Sequence, residues 1–324
     1  MKKLFVICMT IILMFSNSYF AFSAESDIQT QPIQVHWDET FSSITELDKA
    51  ASLVVVGTVI SQSSFLYNRH VYTKSLVTVE NCISGQEDKS VQIIQIGGTA
   101  NNVSTEFPHE LGRLQVSQQY VFFLKGTDNI YHILGAGQGV FAVNNQMVTK
   151  ENYIDYCSPL FEEKLPSLRT PPTPATGYAF PTGTTFVEYY YAADCGVSST
   201  AKSYFQTGIA SWNGLSQLTI SQTTNATNGD ILIYLEETGT VNTGTLAITY
   251  MMSGKRCIDV YTDHFSPSNY TYWRKIGAHE MGHAIGLGHN TWSDSVMAPY
   301  IDDQSIDPEY YDIVTLRDLY GNPW

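Results

Sequence analysis

The chain has 324 residues and 31 acidic against 17 basic side chains, a formal charge of −14. That length suggests about two domains, each long enough to bury a core. No Lys/Arg cluster stands ready to neutralise a phosphate backbone, so the composition argues against a nucleic-acid partner.

Residues 1–24, MKKLFVICMTIILMFSNSYFAFSA, place Lys2 and Lys3 before an apolar run and end in small residues. That is the layout of a cleaved export signal, and the run Leu4–Phe15 is short of the ~20 residues needed to span a bilayer. A secreted, extracellular protein without a stable membrane anchor is expected, and removal of the segment takes the charge to −16. Oligomeric state is left open. Cys8 leaves with the signal, so four cysteines remain: Cys82, Cys157, Cys195 and Cys257. An even count in an exported chain favours disulfides, with three connectivities available. Cys82 with Cys157 and Cys195 with Cys257 is the least demanding pairing if each half folds alone.

Residues 25–163 read as an all-β domain, a barrel or a sandwich, whose role is open between a removable propeptide, an inhibitory cover and a substrate-targeting module. The runs 52–60, 71–80, 91–96, 119–125 and 140–143 are rich in β-branched and aromatic residues and are separated by turn-forming pairs such as Ser84-Gly85 and Gly97-Gly98. The pattern is loosely similar to small oligonucleotide/oligosaccharide-binding barrels, and no function follows from it. His36, His70, His109 and His132 are scattered through this half and read as ordinary surface or core histidines. Residues 164–177, KLPSLRTPPTPATG, carry four prolines and read as an exposed linker.

Residues 178–324 have a mixed α+β texture. Strands are expected over 184–194, 229–237, 245–252 and 257–263. Helices are expected over 198–213, capped by Ser198 or Ser199, over 270–287, and from Asp307 as N-cap to Gly321.

The middle helix carries the chemistry in the stretch HEMGHAIGLGH, His279–His289. Four helical residues advance about 6 Å and return to the same face, so His279 and His283 can grip one ion. Zinc favours imidazole nitrogen and, in a catalytic site, takes three protein ligands and a water. His289 is the remaining histidine, but an unbroken helix carries it off the gripping face. Gly286 can take the positive φ that ends the helix and turns the chain back. Glu280 then lies beside the site as a general base for a zinc-bound water, whose pKa the metal lowers to roughly 7. With five positions filled, each with its own task, the motif favours a catalytic over a closed structural site.

HEMGHAIGLGH, followed by Met297 in SDSVMAPY and by Leu319-Tyr320-Gly321, resembles the metzincin zinc metalloproteases. Within them it is most similar to the matrixins and their bacterial relatives, over roughly 184–321. The resemblance implies a metzincin-like α+β catalytic domain with a mixed twisted sheet, an active-site helix and a C-terminal helix. It implies one catalytic Zn2+ on His279, His283 and His289, Glu280 as general base, and Met297 as an apolar floor. A peptide substrate would add as a strand along 244–252. Upstream histidines for a second zinc and a cysteine-switch motif are lacking, and Asn290 departs from the main matrixin branch.

Tyr300, three residues past Met297, is a secondary candidate near the metal or in the substrate pocket. Asp312 is a candidate anchor of the site or a solvated helix residue. Asp302, Asp303 and Asp307 form an acidic group that suggests Ca2+ or, equally, capping and exposure. The Cys195-Gly196 pair suggests a thiolate on the metal, against which the disulfide is favoured. A zinc-dependent endopeptidase acting on protein or peptide is therefore expected. The alternative is a catalytically silent zinc protein whose β domain carries the function.

Overall fold

The computed structural model describes residues 29–31, 33–37, 39–86, 89–108, 112–164, 178–238, 244–290 and 295–323. The expected export signal, His109 and nearly all of the Pro-rich linker lie outside them, as do the side chains of His36 and Asp303.

The N-terminal half opens with β1 (Gln29–Gln31), β2 (Ile33–Trp37) and the short helix α1 (Ile44–Ala50). Two long strands follow, β3 (Leu53–Tyr67) and β4 (His70–Ser84), then β5 (Ser90–Ile96), β6 (Gly98–Ala100) and β7 (Val103–Thr105). β8 (Gln119–Thr127), β9 (Ile130–Ile133), β10 (Val140–Ala142) and helix α2 (Tyr153–Lys164) complete it. The sheet order β10-β8-β3-β4-β5-β9 closes through a β8–β9 pairing, which makes it a five-stranded barrel. Barrel closure leaves few open edges in this half.

Alternation along the strands divides its apolar residues between two clusters. Val54, Val56, Val121 and Phe123 pack outward with α1 and α2, while Leu53, Val55, Phe122 and Leu124 belong to the other side. The two helices were not legible because α1 is seven residues long and α2 carries Pro159 inside it.

The C-terminal half contains β11 (Phe186–Asp194), α3 (Ser199–Ala210), β12 (Thr219–Gln222) and β13 (Ile231–Glu236). β14 (Thr245–Met252), β15 (Lys255–Tyr261), α4 (Tyr270–Ala284) and α5 (Tyr310–Tyr320) follow. Its sheet has the order β12-β11-β13-β15-β14-β2, parallel except for the two pairings that β14 makes. The last strand, β2, comes from the N-terminal half.

One face of this sheet, with Ile231, Ile233, Leu235, Ala247 and Val260, packs on α3 and α4. Ser198 caps α3 by accepting from Ala201 N at 3.1 Å. The two helices meet at glycines. A Cβ on Gly277 would lie 2.2 Å from the Phe205 carbonyl oxygen, and one on Gly208 would lie 2.1 Å from that of Arg274. Only hydrogen at both positions permits this crossing.

The opposite face presents Ile248, Tyr250, Cys257 and Tyr261, which share one core with the barrel residues Leu53, Val55, Phe122 and Leu124. At its rim the β3–β4 turn inserts polar groups. Arg69 grips Glu236 through two nitrogens at 3.1 and 2.7 Å, and His70 Nε2 lies 2.8 Å from Asp259 Oδ2. Both His70 and Asp259 are fully buried, and Arg69 also reaches Asp259 at 3.0 Å. His70 is thus a core histidine at the contact between the halves, and burial lowers the His132 imidazole to about 4.

No disulfide joins the four cysteines, which corrects the expectation of two. Alternation explains one pair: Cys82 packs toward the barrel–sheet core, whereas Cys157 sits in the α1–α2 core on the other face. Cys195 lies beside Leu235 and Cys257 beside Leu232, two strands and three residues apart. At about 4.8 Å per strand and 3.3 Å per residue that separation exceeds a disulfide's reach.

The last helix also departs from expectation. Its N-cap is Glu309, in a capping box with Asp312, and Asp307 instead pairs with Arg274. Among the described residues, no helix is long and apolar enough to cross a membrane.

Replacing Gly277 by Val should force the α3–α4 crossing apart and cost about 1–3 kcal/mol, read from the denaturant midpoint. Thiol titration of the unfolded, unreduced chain lacking residues 1–24 should count all four cysteines; a count of zero would restore the disulfides.

Candidate metal centre

The three histidines converge. Their ligand atoms lie within 4.8 Å of one another, the one such group of metal-type side chains among the described residues. Ring centroids are 4.5 Å apart for His279–His283, 4.7 Å for His283–His289 and 5.4 Å for His279–His289. His279 and His283 are fully buried, and His289 is partly exposed.

The chain makes this arrangement by stopping α4. Gly286 takes φ +103°, with Gly286 N bonded to His283 O and Leu287 N to Gly282 O, both at 2.9 Å. That pair of bonds is the Schellman closure of a helix. It also turns the Leu287 carbonyl back to within 2.8 Å of His283 Nδ1. A Cβ on Gly286 would stand 2.6 Å from Ala179 Cα, so space as well as conformation demands glycine.

His279 Nδ1 is held in the same manner by the Val296 carbonyl at 2.7 Å, and the neighbouring Gln304 amide donates to the Ala298 carbonyl at 2.7 Å. A carbonyl on Nδ1 selects the tautomer whose lone pair is on Nε2, the nitrogen suited to a metal. The donor set therefore fits a zinc ion: three imidazoles, two of them oriented by backbone oxygens.

Met297 is buried beneath the site. A Cβ on Gly282 would meet its sulfur at 2.4 Å, so the glycine between the two helix histidines is the notch that receives Met297. Asn290 N donates to Met297 O at 2.9 Å and ties the third histidine's segment to the methionine turn.

Asp312 fastens that turn from below. It is 1% exposed, accepts from Val296 N at 3.2 Å and Glu309 N at 2.9 Å, and also takes the Ser295 hydroxyl. Burial raises its carboxyl pKa, and these donors pull the other way. The solvated-helix reading of Asp312 is thereby set aside.

Tyr300 packs in the barrel–sheet core opposite Trp37. Asp302 accepts from Tyr272 Oη at 3.1 Å. Cys195 is exposed near Thr262, 3.3 Å from its hydroxyl.

Glu280 is fully buried, and Thr249 of β14 donates to its Oε2 at 2.6 Å. Burial pushes this carboxyl up to about 8 while the Thr249 hydroxyl pulls it down. A cation held by the adjacent histidines would favour the ionised form further.

Thr249, Ser295, Gln304 and Gly282 were not singled out from sequence. Gly282 had a signal in its place between the paired histidines; Thr249 had none, because its role exists only where β14 passes over α4. Tyr320 belongs here too, donating from α5 to the Ile285 carbonyl at the end of α4 at 2.7 Å.

Residues 189–321 match the family model for the matrixins, so this part of the chain is similar to that family. No match was found among curated proteins. Within such a domain the histidine triad fits a metzincin zinc site.

Gly286→Ala should lose the turn through both positive φ and contact with Ala179. We expect a melting temperature lower by at least about 4 °C and zinc lost on dialysis that the unaltered protein retains. Asp312→Ala should leave buried donors at Ser295 and Val296 unsatisfied, at about 1–3 kcal/mol in denaturant unfolding.

Proposed function

We propose that the chain is an exported zinc-dependent endopeptidase that hydrolyses peptide bonds in proteins or peptides. The observation that carries this reading is the convergence of His279, His283 and His289 beside a buried Glu280 fixed by Thr249. The matrixin match supports the same reaction class. Residues 1–24 supply the export signal.

The three histidines would hold zinc, which supplies a Lewis acid that brings the pKa of water to roughly 7. Thr249 fixes one carboxylate oxygen of Glu280, so the other, Oε1, carries the proton. Glu280 takes that proton from the attacking water and returns it to the leaving amine. A rigid position matters more for this shuttle than basicity alone, and the Thr249 bond, the α4 backbone and the buried surroundings supply it. No nucleophilic side chain is required, so no covalent enzyme intermediate forms.

Met297 and Gly282 hold the floor of the site, and Asp312 with Ser295 holds the segment that carries Met297. The edge of β14 is the surface along which an extended peptide would be laid, with its carbonyls near Glu280.

Glu280→Ala should retain zinc and lose cleavage of casein or gelatin by about 100-fold or more. Undiminished turnover in that variant would end the assignment. His289→Ala should instead lose zinc, measured by metal analysis after dialysis. N-terminal sequencing of the exported protein tests the leader.

A further inference from the structure

Arg256 stands near the start of β15, and by strand alternation it shares the face of Ile258 and Val260, which packs on α3 and α4. Its guanidinium is spent on backbone. Nε donates to the Tyr178 carbonyl at 2.7 Å and Nη2 to the Ala179 carbonyl at 3.0 Å. The same group lies over the Phe180 ring, 3.4 Å from its centroid. Burial lowers the pKa of Arg256, so the placement costs free energy that these three contacts offset.

The segment held in this way lies directly behind the stop of α4. Ala179 Cα is the atom that a Cβ on Gly286 would strike. Phe180 N donates to Tyr320 Oη at 2.9 Å, and that hydroxyl donates in turn to the Ile285 carbonyl at 2.7 Å. Tyr178 is buried. One bonded chain therefore backs the turn at residues 285–287: Arg256 to Tyr178 and Ala179, Phe180 to Tyr320, and Tyr320 to Ile285.

The first two histidines need none of this, because α4 itself places His279 and His283. His289 lies beyond the turn, and it is the one of the three that is partly exposed. Its position depends on whatever holds the turn.

We propose that Arg256 is a positioning residue of the metal centre: by clamping residues 178–180 behind Gly286 it fixes the turn that delivers His289, and it acts through that turn alone. Residues 178–180 lie outside the 189–321 match, so the brace belongs to this chain's own junction between linker and second half. The proposal rests on zinc being held by the histidines, but not on peptide hydrolysis.

The test is a double-mutant cycle in the full chain, with zinc affinity read by chelator competition. Arg256→Ala should weaken zinc binding by about 10–100-fold. On a His289→Ala background the same change should cost less than about twofold, because the ligand it places is gone. Unchanged affinity in Arg256→Ala, or an equal loss on both backgrounds, overturns the proposal. Arg256→Lys keeps the charge without the planar fork and should bind zinc as weakly as Arg256→Ala; full affinity in the lysine variant also overturns it.

Should Arg256→Ala not fold, Tyr320→Phe replaces it, removing one hydroxyl from the same bonded chain. The expected loss is about tenfold, again absent once His289 is replaced; unchanged affinity refutes the brace. Should zinc affinity follow this pattern while the unaltered chain cleaves neither casein nor gelatin, the brace stands and the endopeptidase reading fails. A full chain that takes up no zinc overturns both.

Discussion

A single residue in the left-handed region, Gly286, determines where the three histidines meet. Two of the three histidines need only helical spacing, and any helix would place them on one face. The third needs the helix to stop one turn after His283 and the chain to reverse, which the Schellman closure at Gly282–Leu287 does. The same reversal sends the Leu287 carbonyl to His283 and lays Gly286 against Ala179. The last helix then reaches back, through Tyr320, to bond the Ile285 carbonyl at that stop. The termination of α4 thus positions the histidines, orients a ring and anchors α5.

A second level of support comes from steric exclusion. Three positions on or against α4 are kept small: a Cβ would strike backbone at Gly277 and Gly208, where the helices cross, and would displace the Met297 sulfur at Gly282. Each lets a backbone or a sulfur pack closely where a Cβ would intrude. Buried polar anchors complete the frame. Asp312, far along the chain from the histidines, holds the methionine turn through backbone and hydroxyl donors, and Thr249 holds Glu280 from the sheet.

The spacing His279-Glu280-His283-Gly286-His289 was legible in sequence because each residue in it answers to a local rule of helix periodicity or termination. The longer strands of both halves were likewise legible from β-branched runs, although β3 and β4 run longer than expected, while the short strands β1, β2, β6, β7, β9 and β12 were not. What escaped was set by distance in the chain. Trp37 and Val35 give no sign in sequence that they pair with residues more than 200 positions away. Thr249 reads only as a strand residue until β14 is placed above α4. The cysteines misled for a related reason: an even count says nothing about faces, and pleating puts Cys82 and Cys157 on opposite ones.

The strand that closes the β14 edge has a consequence for solubility. Of the two borders of the second sheet, β12 is only four residues long, a form that offers little template to another chain. β14 is twice as long, carries buried apolar residues, and would present a row of unanswered amides and carbonyls if left bare. Ile33–Trp37 supplies the missing ladder. Because it is synthesised first, the cover is already in hand when the vulnerable border emerges, and strand-to-strand aggregation between nascent copies is forestalled.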